Sequence, residues 1–81
     1  MPDVRFSWSP LLVDLCRELC PTARWEKRQR RWLMNDADAT TFLRAAHVRL
    51  DLARSKAEIR IDEATWVVGF VQGAPYRAST A

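Results

Sequence analysis

Residues 24 to 31 read Arg-Trp-Glu-Lys-Arg-Gln-Arg-Arg, and Trp32 follows. Five bases against one acid give this stretch a net +4, so the other 73 residues carry −1 of the chain's +3. Such a charge density belongs in solvent, whereas two tryptophans bring large apolar area that favours packing. A β-hairpin reconciles the two. With the turn centred on Arg28-Gln29, Trp25 faces Trp32, Glu26 faces Arg31 and Ala23 faces Met34. Both indoles then share one face, and an opposite-charge pair occupies the other, as cross-strand energetics prefer. The turn has no Gly, Asn or Asp, so a four-residue loop from Lys27 to Arg30 is expected rather than a tight two-residue turn. Lys-Arg-Gln-Arg is its tip, projecting into solvent.

The remainder supplies the body on which such a hairpin would sit. Asp3 to Trp8 alternates, with Val4, Phe6 and Trp8 on one side and Arg5 and Ser7 on the other, the period of a half-buried strand. Ser9-Pro10 starts a helix, Ser as N-cap and Pro at the first helical position. Leu11, Leu15 and Leu19, with Leu12 and Cys16 beside them, form its apolar side, and Pro21 ends it after Cys20. Asn35-Asp36-Ala37-Asp38 offers an N-cap and first-turn acids for a second helix, whose apolar arc holds Phe42, Leu43, Ala46, Leu50 and Ala53. Val48, Leu50 and Leu52 alternate as a strand would, and no Gly, Pro or Asn separates the two readings. One helix to about residue 54 is favoured, which leaves a surplus Val48/Leu52 face for a second contact such as another subunit. Ala57 to Ile61 alternates again. Trp66 to Val71 is apolar on both sides, suiting a strand covered on both faces, with Gly69 marking a bulge or close packing. The order β-α-β-β-α-β-β points to an α+β fold: two helices packed on a mainly antiparallel sheet. Residues 1–72 are read as a single compact domain and 73–81 as a flexible C-terminal tail. A core in a chain this short rarely supplies more than about 3–5 kcal/mol net, so homodimerisation is a candidate supplement.

The sequence offers little to a catalyst. Cys16 and Cys20 lie four apart on one helix and His47 is the sole histidine, an incomplete zinc set at non-standard spacing. In a reducing cytosol such thiols read as small buried hydrophobes. His47 falls at the edge of the apolar arc and reads as a packing residue. Asp36 and Asp38 look like helix-capping groups. With two glycines in the chain there is no glycine-rich phosphate loop. No enzyme activity, metal or cofactor is expected. No window approaches about 18 uncharged apolar residues, and Met1 to Phe6 lacks the apolar stretch of a secretory signal. A cytoplasmic protein without a membrane span is the expectation.

The order of features resembles a known family. The strand Val-Arg-Phe-Ser-Trp, the helix Ser-Pro-Leu-Leu-Val-Asp-Leu-Cys-Arg-Glu-Leu and the segment Pro-Thr-Ala-Arg-Trp-Glu-Lys-Arg-Gln-Arg-Arg-Trp look like the HARP (HepA-related protein) domain. That module is found beside the motor of fork-remodelling, annealing-type helicases and in some bacterial proteins. Its pattern of aromatic strand, apolar helix, Pro, Arg/Trp strand and basic turn to a second Trp falls here on Phe6, Leu11 to Leu19, Pro21, Arg24-Trp25 and Arg31-Trp32. The likeness covers about residues 3 to 47. It implies an α+β module that engages branched DNA or junctions of single and double strands. The 81 residues hold no helicase motor, so remodelling is not expected of them, and Glu58 to Val71 has no counterpart.

The resulting expectation is a small non-enzymatic nucleic-acid-binding module, with DNA favoured over RNA. Arg24, Lys27, Arg28, Arg30 and Arg31 would contact phosphates, with Arg5 as a flanking contact, while Trp25 and Trp32 hold the hairpin rigid, the alternative role for the pair being to stack on unpaired bases. Clustered bases bind through released counterions, and the planar arginine fork, which outnumbers lysine eleven to two, suits phosphate. The competing expectation is a protein-interaction or oligomerising module of a bacterial or phage system. It would use the apolar strand Trp66 to Val71 and the Val48/Leu52 face.

Overall fold

A computed structural model describes residues 1–71, 73 and 75–78. The elements run β1 (Asp3–Phe6), α1 (Pro10–Leu19), β2 (Arg24–Glu26), β3 (Arg31–Leu33), α2 (Asp36–Leu52), β4 (Lys56–Ile61), β5 (Ala64–Gly69) and β6 (Tyr76–Arg77). The six strands form one sheet in the order β2-β3-β1-β4-β5-β6, and every pairing is antiparallel. This is the α+β architecture expected, with one strand more.

Registers place Trp25 opposite Trp32, Trp32 opposite Val4, Phe6 opposite Ile59, Ile59 opposite Trp66 and Ala57 opposite Val68. Directly paired residues share a face, so these apolar side chains line one side of the sheet. The helices cover that side. α2 lies across β4 and β5, α1 packs beside α2, and Phe6 stacks on Phe42 at 5.4 Å. Phe42, Leu12, Met34, Ile59 and Val4 are the largest fully buried side chains. The opposite face carries Arg24, Glu26, Arg31, Asp3, Arg5, Arg60, Glu58 and Lys56 and has no helix over it.

Local chemistry explains the boundaries. Ser9 is extended and its hydroxyl accepts from the Leu12 amide, capping α1. The seam of α1 is Leu12, Leu15 and Cys16, leaving Leu11 half-buried and Leu19 exposed. α2 ends two residues short of the expected position, without glycine. Arg54 takes φ 53°, its amide donates to Asp51 O, and the Ser55 amide reaches Leu50 O at 2.9 Å. That pair of bonds is a Schellman cap, with arginine where glycine is usual. It settles residues 48–52 as helix.

Four further expectations are corrected. β1 stops at Phe6, where its pairing with Ile59 ends; the chain turns to cap α1 and Trp8 is left 81% exposed rather than on the buried face. The β2–β3 ladder has three pairs and omits Ala23–Met34: the Ala23 amide closes onto Cys20 O, and Met34 enters the core with its amide towards Pro2 O. β5 spans Ala64–Gly69, not 66–71, because Asp62-Glu63 forms a two-residue turn, and α2 covers only one of its faces. Within the stretch read as a tail, Tyr76 and Arg77 pair with Val67 and Trp66 at the sheet edge. Residues 72, 74 and 79–81 of the reading lie outside the described residues.

Two part-buried polar links fix the frame. Asp38, read as a helix-capping acid, is 9% exposed and turns inward. Its carboxylate accepts from the Thr22 amide at 2.9 Å and from the Thr22 hydroxyl, whose oxygen in turn accepts from the Asn35 amide. Asn35 caps α2 through the Asp38 amide. The turn after α1 is thus tied to the start of α2, and the hairpin between them has its two ends pinned. His47 Nδ1 accepts from the Gly69 amide at 2.9 Å, joining α2 to the end of β5.

Candidate nucleic-acid interface

The expected register places Glu26 opposite Arg31 and leaves Lys27 to Arg30 as a four-residue loop. Arg30 closes the loop at φ 52°, a conformation that costs a non-glycine residue about 1 kcal/mol. Arg24, Lys27, Arg28 and Arg30 are exposed.

The six basic residues expected to act together fall into two groups. Arg31 donates from Nε and Nη2 to both oxygens of Glu26, at 3.1 and 3.2 Å, and from Nη1 to Asp3 at 3.0 Å. Arg5 makes a two-pronged contact with the same Asp3, at 3.0 and 3.1 Å. The chain Arg5–Asp3–Arg31–Glu26 alternates in sign, sums to zero and lies on the helix-free face of β1, β2 and β3. Hydrogen bonds from Arg5, then from Arg31, hold the Asp3 carboxyl below its ordinary range, and Glu26 followed by Asp3 holds the Arg31 guanidinium more firmly protonated. Among the described residues, Arg5 and Arg31 are the only bases in an ion pair. Arg24, Lys27, Arg28 and Arg30 are in no ion pair among the described residues, the last three in the loop and Arg24 at the start of β2.

On the helix-covered side, Trp25 and Trp32 meet at 5.6 Å with planes 56° apart. Trp32 is 8% exposed and anchors the pair, whereas Trp25 is 50% exposed. Beside them an open groove of about 570 Å³ runs between α1 and the hairpin. Val4, Phe6 and Trp32 lie at its bottom; Trp8, Trp25, Val13, Arg17 and Arg30 surround it. Trp8 and Arg17 were not among the residues singled out from sequence. The available signal was Trp8's place immediately before the Ser9-Pro10 helix start, where a strand must end.

The sulfur and imidazole groups sit elsewhere. Burial pushes the Cys16 thiol up to about 12, and Cys20 is shifted the same way by burial and the nearby Asp38 charge. Both thiols are free, buried and weakly nucleophilic at neutral pH. Among the described residues, no three His, Cys, Asp or Glu side chains group as a metal site, and no helix is long and apolar enough to cross a membrane. No family model, no curated protein and no solved structure matches the chain.

Proposed function

We propose that this chain is a non-enzymatic, cytoplasmic nucleic-acid-binding module that engages DNA of single-stranded or junction character through the β2–β3 loop. The observation that carries this is the crowding of Arg24, Lys27, Arg28 and Arg30 on one short hairpin with no acid paired to them among the described residues. These four contact phosphates. Arg31 and Arg5, held by Glu26 and Asp3, act as positioning residues that stiffen the strand behind the loop. Phosphate contacts of this kind orient a ligand without reading its sequence, so little sequence preference follows. The resemblance to the HARP domain supports DNA over RNA, and junctions over plain duplex.

The test is a salt titration on forked DNA. Four phosphate contacts give a log–log salt slope of about −3, and Arg28→Glu with Arg30→Glu removes roughly half of it together with most of the affinity. Binding that ignores salt, or survives the double reversal, overturns the reading.

One observation favours a second reading. Val48 and Leu52 are 55% and 76% exposed on α2, and Val48 shares a shallow hollow with the exposed Leu19 of α1. A homodimer or protein partner would use this helical face. β5, flanked by β4 and β6 and covered by α2, is a poorer candidate for that role. Light scattering at micromolar concentration that returns only monomer, with no change on Leu52→Glu, removes the dimer.

A further inference from the structure

We infer that the groove between α1 and the β2–β3 hairpin takes an unpaired base, so that the protein holds a strand by stacking as well as by charge. The inference rests on the nucleic-acid reading and adds to it the part of the ligand that the loop does not touch. A chain this small gains most by burying its aromatics, yet Trp8 stands 81% exposed and Trp25 50% exposed at the same opening. Arg17 from α1 and Arg30 from the loop flank them, neither in an ion pair among the described residues.

The charge pattern of the groove identifies the occupant. No acidic side chain lines it, whereas the hollows around Ser9, Asn35 and Thr41 include Glu58, Asp36 with Asp62, and Glu18 respectively. Indole faces beside free guanidinium groups suit a flat, electron-poor ring attached to an anion. A nucleobase on its phosphate backbone is such a ligand. Arg30 belongs to both sites: its backbone closes the loop and its side chain borders the groove. A strand whose phosphates follow the loop therefore has a base within reach of Trp25 and Trp8. A fully paired duplex presents no free base face there, which makes the groove selective for single-stranded or frayed segments.

The experiment measures fluorescence anisotropy of two labelled strands of about twelve units, oligothymidylate and an abasic strand with the same phosphates. Stacking on one aromatic platform gives at least about 5-fold tighter binding of oligothymidylate by the native protein. Trp8→Ala abolishes most of that preference while leaving abasic binding and the salt slope unchanged, and Trp8→Phe restores part of it. Because Trp8 is almost wholly exposed, its loss leaves the melting temperature near the native value. Equal affinity of the native protein for both strands overturns the groove and leaves the loop reading intact. Failure to bind either strand overturns both. An acidic peptide of matched charge binding as tightly as oligothymidylate assigns the groove to a protein partner and overturns the inference.

Discussion

The β4–β5 hairpin closes on two residues and runs a six-pair ladder; the β2–β3 hairpin closes on four and runs three pairs. In the first, Asp62 takes φ 53°, a conformation that aspartate tolerates, and its side chain accepts from the Asp3 amide. In the second, the same backbone falls on Arg30, whose side chain makes no hydrogen bond among the described residues. α2 packs on both strands of the first, while Trp25 in the second remains half in water. Turn chemistry, ladder length and burial agree in the β4–β5 hairpin. In the β2–β3 hairpin they are relaxed and the surplus is charge. Local departures from folding rules gather at working sites, so the contrast separates a hairpin that holds the fold from one that is held by it.

The largest effect is expected at Gly69. It sits at φ 104°, and a Cβ there would lie 2.3 Å from Ser55 O and 2.7 Å from Leu50 Cβ, against the Schellman cap of α2. Gly69→Ala adds backbone strain to a clash with backbone, and a loss of about 3 kcal/mol or more follows. Urea denaturation measures it. A variant as stable as the native protein breaks the comparison, because the end of β5 would then not be the tight half.

Much of this was legible because its signals are local. Ser9-Pro10 marked the start of α1, Asn35 that of α2, and two tryptophans seven positions apart set the register of the basic hairpin. What escaped is non-local. The partner of Arg31 beyond Glu26 is Asp3, 28 positions away, and Asp38 meets Thr22 across 16. Neither pairing follows from periodicity, so Arg31, although expected opposite Glu26, is grouped by sequence with the other four hairpin bases as a phosphate contact. Trp8 fits the strand alternation but lies past the last paired residue of β1, and its place before the Ser9-Pro10 helix start is the one local sign of that.

Asp3 joins the two halves. Its amide and carbonyl meet Asp62 on the β4–β5 side, and its carboxylate meets Arg31 on the other. The fold lowers its pKa, so its contribution is fully present above the ordinary aspartate value and is lost as pH falls through the lower, folded value. Asp3→Asn keeps the backbone links and costs about 1 kcal/mol at neutral pH, as befits partly exposed ion pairs. The melting-temperature gap between native protein and variant then closes on acidification. A gap that persists unchanged at the acid end sinks this account of the joint.

The smallest stability change is the most telling. If Arg30 is there for its charge, its left-handed backbone is a standing cost, and Arg30→Asn relieves part of it because asparagine adopts that conformation more readily. Stability should hold or rise by up to about 0.5 kcal/mol in urea denaturation. Binding should move the other way, with the salt slope shallower by about one unit and affinity for oligothymidylate reduced. Opposite signs on the two measurements are what a binding residue held in a strained position produces. A structural residue gives loss on both, and a loss of 1 kcal/mol or more with binding intact would place Arg30 beside Asp62 as a turn residue and erase the difference between the hairpins.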